Sequence, residues 1–195
     1  MEALLNLLGK YCLGLLWMAV TIWPVISAQA QGSVQNDKAG SSISYILVHP
    51  FHTVTGVSHQ VSSTLVLGAE TDQIQAVQVT VPVKSFDSGN RARDKDMRKT
   101  TEADTYQEVT FKSTNLTQTY GSLQVQGQLG FHGVTKDISF EATFQQKNSN
   151  LVVKGQFPIS LEAYQIKRPS IFKMKVKDEL TVKFQMVYPL AKQGN

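Results

Sequence analysis

Three of the chain's four histidines, His49, His52 and His59, fall within eleven residues, and three imidazoles are enough to hold a zinc ion. The spacing argues against it. Pro50 breaks regular geometry between the first two, and no glutamate stands in a metalloprotease-like arrangement beside them. They read as histidines at the end of a strand pair, and no metal site is expected. His132, in His132-Gly133, reads as a structural turn residue. Arg91, Arg93, Lys95, Arg98 and Lys99, with Asp94 and Asp96, form the one dense charge cluster. Two readings fit it: a mouth that attracts a phosphate or polar head group, or a solvated segment held by internal ion pairs, with Arg93 and Asp94 as the pair. The second is the plainer and is favoured. Asn115-Leu116-Thr117 matches a glycosylation sequon. Glycine-rich phosphate loops, nucleophile elbows and catalytically spaced carboxylates are missing, so nothing points to an enzyme. No cofactor is expected.

The elements that would position such residues are strands. Val77, Val79, Val81 and Val83 alternate with Gln78, Thr80, Pro82 and Lys84. Leu123, Val125, Gly127, Leu129 and Phe131 alternate with glutamines and Gly130, and the same period of two runs through Ile138–Phe144 and Leu180–Met186. Only a strand with one apolar face explains it. Turn residues such as Tyr120-Gly121, His132-Gly133 and Asn148-Ser149 separate the runs, which predicts antiparallel hairpins. Eight strands are expected, near 43–49, 53–67, 73–85, 107–117, 122–131, 136–146, 151–161 and 179–188, as an antiparallel barrel or sandwich. A charged insert near 88–104 is predicted to be helical, with Asn90 as N-cap. Residues 163–177 are predicted to be a loop crossing.

Composition sets the frame. With 42% apolar residues the chain is globular, and a net charge of +4 without a long basic tail gives no reason to expect nucleic acid. Leu13–Trp23 is apolar, preceded by Lys10 and closed by Pro24, and Ala28-Gln29-Ala30 follows. That is the layout of a secretory signal cut after Ala30, and the apolar run is short for a membrane span. Cys12, the single cysteine, lies inside it behind Tyr11, which does not fit a lipoprotein signal. The expected organisation is a signal at 1–30, a flexible lead-in at 31–41 and one domain at 42–190, with no membrane span after processing.

Four motifs in order resemble the YceI-like family. They are Ser85-Phe86-Asp87-Ser88-Gly89-Asn90 followed by Arg93-Asp94 and Met97-Arg98; Phe111-Lys112-Ser113; Gly127-Gln128-Leu129; and His132-Gly133-Val134-Thr135-Lys136. The likeness runs from about Ser42 to Tyr188. One departure is Gln107, where that family often has proline after the aromatic position held here by Tyr106. The resemblance implies an eight-stranded, lipocalin-like antiparallel barrel in the periplasm that holds a long polyisoprenoid or isoprenoid quinone, and it implies binding rather than catalysis.

An apolar tube suits such a ligand without polar motifs, since burial is worth about 0.8 kcal/mol per methylene. Val79, Val81, Phe111, Val125, Leu129, Phe140, Phe157 and Phe184 lie on the apolar faces of different strands and are expected to point inward, the central ones touching the lipid. Arg91, Arg93, Asp94, Met97 and Arg98 are the candidates for a mouth or lid. The alternative is an eight-stranded outer-membrane barrel, since alternation alone does not say whether the apolar face points in or out. An enzyme built on the same fold is the third reading. Oligomeric state is not legible.

Overall fold

The computed structural model describes residues 32–68, 73–171 and 173–190. The expected signal segment and its cut after Ala30 lie outside them. Twelve strands and one α-helix follow in chain order: β1 (Gly32–Gln35), β2 (Ser42–His49), β3 (His52–Ser58), β4 (Ser62–Leu67), β5 (Ile74–Pro82), α1 (Arg91–Thr100), β6 (Glu108–Thr119), β7 (Ser122–Phe131), β8 (Val134–Lys147), β9 (Asn150–Ser160), β10 (Ser170–Ile171), β11 (Met174–Lys175) and β12 (Glu179–Pro189). Ten form one antiparallel sheet in the order β1-β4-β5-β6-β7-β8-β9-β12-β2-β3; β10 and β11 make a small separate hairpin.

The sheet curls because its apolar faces meet. In β7, Leu123, Val125, Gly127 and Leu129 are buried while Gln124, Gln126 and Gln128 between them are exposed. Glu141, Lys154 and Lys183 continue the polar outer face on β8, β9 and β12. An outer-membrane barrel needs the reverse, an apolar band outside. The polar exterior therefore rules out the membrane-barrel alternative.

No continuous ladder joins the edge strands, and the seam is closed locally at both ends. At one end Val57 and Asp87 exchange backbone hydrogen bonds of 2.9 Å, and Ser58 Oγ lies 2.6 Å from Ser85 Oγ. At the other, the Asp37 amide donates to the Val187 carbonyl at 2.8 Å, and Ser63 Oγ on β4 meets the Tyr188 hydroxyl on β12 at 2.6 Å. Both Ser63 and Tyr188 are buried.

Strand count departs from expectation at three places. The run expected as one strand at 53–67 is two, because the chain turns a corner at 59–61: Ser58 Oγ accepts from the Gln60 amide at 3.1 Å, and Val61 plugs into the core. This corner carries the chain across the seam. Within the polar stretch expected as a lead-in, Gly32–Gln35 pairs with β4, and Asn36 bonds the Ser63 amide through its side chain at 2.7 Å. Its polarity suits an edge strand with one open side. The expected crossing at 163–177 holds a 3₁₀ turn, Glu162–Tyr164, started before it, and the β10–β11 hairpin.

The insert after β5 is helical as predicted. Asn90 caps α1 with its side-chain oxygen, accepting from the amides of Ala92 and Arg93 at 3.0 and 3.1 Å. Strand direction puts α1, the His49–His52 turn, the β7–β8 turn and the β9–β12 crossover at the same end of the barrel.

Candidate functional site: an apolar tube with a charged mouth

The barrel encloses a cavity of about 970 Å³. All eight residues singled out on apolar strand faces, Val79, Val81, Phe111, Val125, Leu129, Phe140, Phe157 and Phe184, line it. Four of them form an aromatic wall. Phe140 stacks on Phe157 at 4.5 Å between ring centroids and meets Phe111 at 5.7 Å and Phe184 at 5.9 Å. These rings come from β6, β8, β9 and β12, so Phe111 must reach across β7 and Phe184 across β9. Two glycines allow it. A Cβ on Gly127 would lie 2.5 Å from the Phe111 ring, and one on Gly155 would lie 2.7 Å from the Phe184 ring. Each ring thus lies flat against the wall instead of standing in the bore.

The mouth lies at the α1 end. Arg93 and Met97 of α1 line the cavity, and so do Asp96, Lys99 and Glu102. Arg91, Asp94 and Arg98, the other candidates for a mouth or lid, are not among the residues that line it. A helix turns successive side chains by about 100°, so a cluster contiguous in sequence cannot all face one opening. Arg98 donates instead to the Lys84 carbonyl at 3.1 Å, and Arg91 is exposed. Asp94 is buried, and its Oδ1 accepts from the Ser88 amide at 3.0 Å and the Ser88 hydroxyl at 2.5 Å. Arg93 donates to the same residue, from Nε to Ser88 Oγ at 2.9 Å and from Nη2 to the Ser88 carbonyl at 2.7 Å. The expected Arg93–Asp94 ion pair is therefore a clamp in which both hold Ser88. It pins the first turn of α1 over the barrel end.

Tyr45, unmarked in the sequence, also lines the tube near this clamp. Burial pushes its phenol up from the ordinary range, and the Asp94 carboxylate adds to the shift while the Arg93 guanidinium opposes it. Lys167 and Arg168 reach the mouth from the β9–β12 crossover. Arg168 pairs with Glu162 at 2.8 Å. These positions come from segments more than forty residues from α1 on either side, beyond any spacing rule. The one available signal was the run of basic residues from Lys167 to Lys177.

The histidines do not converge on a metal. His49 is buried and accepts from the Phe51 amide through Nδ1 at 3.3 Å, while its Nε2 faces the Met174 carbonyl at 3.3 Å. His59 bonds the Ser41 carbonyl at 3.2 Å, near the seam. Among the described residues no group of three His, Cys, Asp or Glu is placed to hold a metal ion. His132 sits at φ 51 in the β7–β8 turn, with Nδ1 3.0 Å from the Tyr164 carbonyl and its ring 4.5 Å from that of Tyr106, which fixes the segment after α1.

The family model described as the YceI-like domain matches residues 35–188. The chain belongs to the YceI-like family. A UPF0312 protein of Vibrio parahaemolyticus is 33% identical over 132 residues, covering 65% of this chain and 70% of that one. Among solved structures, BcnA of Burkholderia cenocepacia superposes with a TM-score of 0.71 at 24% identity, over 78% of this chain and 98% of that one. A polyisoprenoid binding domain from Saccharophagus degradans gives 0.64 at 15% identity, over 83% and 100%. At these identities the YceI-like structures share the barrel fold with this chain.

Proposed function

We propose that this YceI-like chain binds and carries, or stores, a long apolar lipid, a polyisoprenoid or isoprenoid quinone, in the bore of its barrel. The observation that carries this reading is the cavity of about 970 Å³, walled by strand-interior aliphatic and phenyl groups and reaching one end of the barrel. A flexible hydrocarbon gains about 0.8 kcal/mol per buried methylene, hence roughly 3–4 kcal/mol per isoprene unit before ordering costs. Several units give tight binding with hardly a polar contact. The relative from Saccharophagus degradans is described as a polyisoprenoid binding domain, which supports the ligand class. The eight apolar residues would contact the chain, and α1 with Met97 would cover the mouth. The reading is of a binding protein without catalysis, placed in the periplasm after cleavage behind Ala30.

The test is to purify the protein from its host without detergent, extract it with organic solvent and identify the lipid by mass spectrometry. A stoichiometric isoprenoid supports the reading, and an empty protein that takes up no added prenol overturns it. Intact mass on the same sample checks export: the mature chain is expected to begin at Gln31.

A further inference from the structure

From Ala163 to Lys177 the chain has no Asp or Glu, and it carries Lys167, Arg168, Lys173, Lys175 and Lys177. Only Arg168 has an ion-pair partner, Glu162. The four lysines are exposed and have none among the described residues. Four cations without ion-pair partners thus stand on one short crossover.

Two large apolar side chains stand out of the same end. Phe51 is 62% exposed and Met174 is 38% exposed. They are held by one residue. The His49 ring packs on Phe51 at 5.3 Å, its Nδ1 accepts from the Phe51 amide, and its Nε2–H is left to donate to the Met174 carbonyl at 3.3 Å. His49 also lines the cavity, as do Lys167, Pro169 and Val176 of the crossover. The apolar tips, the unpaired lysines and the opening of the bore therefore share one face.

We propose that this face docks on the surface of an anionic lipid bilayer and sets the mouth of the tube against it for lipid exchange. The inference rests on the carrier reading. Lysines near a membrane attract anionic head groups, and a few fixed apolar tips enter the interface. Phe51 and Met174 are the exposed large apolar side chains at this end among the described residues, and the cations around them stand on flexible stems. That suits a fluid, unpatterned surface better than a shaped protein partner.

Sedimentation with vesicles tests it, using phosphatidylcholine with and without phosphatidylglycerol. Wild type is expected to bind only the anionic vesicles and to be released by salt. Replacing a single lysine should weaken binding about fivefold, and the triple variant Lys173→Gln, Lys175→Gln, Lys177→Gln roughly a hundredfold. Phe51→Ser should weaken binding while leaving its salt dependence in place. Equal binding to both vesicle types, or an unaffected triple variant, overturns the proposal. So does wild type that binds polyglutamate but neither vesicle, which would assign the face to an acidic protein. Mass spectrometry of extracted lipid separates this from the carrier reading: lipid-loaded protein that ignores vesicles overturns docking alone. Empty protein that still docks overturns the lipid-exchange role.

Discussion

Ser63 and Tyr188 join hydroxyls at 2.6 Å across the seam of the barrel, in a site where both are buried. Burial pushes the Tyr188 phenol up to about 12, although the Ser63 hydrogen bond acts in the other direction. The folded state thus holds this proton more tightly than the unfolded chain, whose phenol titrates near 10.0. The stabilising contribution is complete below that pH and is lost as pH rises from about 10 towards 12. A shift of this size is worth about 3 kcal/mol. Denaturant titrations on either side of this range should show the loss in wild type. Tyr188→Phe should cost about 1 kcal/mol at neutral pH and remove that share of the alkaline loss. An unchanged alkaline profile in the variant would place the titration elsewhere.

Phe140 stands at the centre of the aromatic wall, touching Phe111, Phe157 and Phe184. Phe140→Asp puts a carboxylate into the bore, where it costs several kcal/mol as a charge and binding must neutralise or displace it. The variant is expected to lose co-purifying lipid. Circular dichroism and a melt establish that it is folded. A folded variant that carries a full complement of lipid refutes the placement of ligand against this wall.

Gly155 allows Phe184 to lie against β9. Gly155→Ala would set a methyl 2.7 Å from the Phe184 ring and 3.3 Å from the Ala142 Cβ. The ring must swing into the tube. Stability is expected to fall by about 1–3 kcal/mol from overpacking, and bound lipid should become shorter on average by mass spectrometry. Unchanged ligand length would show that the tube is not filled at this level.

Asp94 secures α1 through Ser88. Asp94→Ala leaves the Ser88 amide without its acceptor, a cost of about 1–3 kcal/mol. Hydrogen exchange over residues 91–100 should accelerate, lipid should leave faster, and the melting temperature should fall by about 2–10 °C. Arg91→Ala combined with Arg98→Ala should leave affinity for charged and neutral lipids unaltered, since neither side chain lines the bore. A head-group preference lost in that double variant would return the mouth to these two arginines.

The strands were legible because each shows one face to solvent and one to the bore, so the period of two is printed along β7, β8 and β12. The helical insert was legible from Asn90 and the lapse of that period. The seam was not. Its contacts depend on Asn36, Asp37 and Ser41, polar residues that look like loop, and on Ser63, a polar position in a run that reads as one strand; none of them names its distant partner. The mouth was half legible: Arg93 and Met97 face it, but Lys167 and Tyr45 reach it from other parts of the chain. Gly127 showed only as a position in the alternation and a motif, and Gly155 not at all, since the space they leave acquires meaning only from the ring above it.

One set of the bonds that shut the seam ties Asp37, Gly40, Ser41 and Ser63 to residues 185–188, near opposite ends of the described chain. Strand β12 also lies between β9 and β2, so nine strands without it form two separate sheets. A growing chain therefore has no closed intermediate, because the bore exists only once β12 has emerged. Such long-range closure makes folding slow and leaves the apolar faces uncovered until late. The bore can therefore be filled only after the whole chain is available to fold.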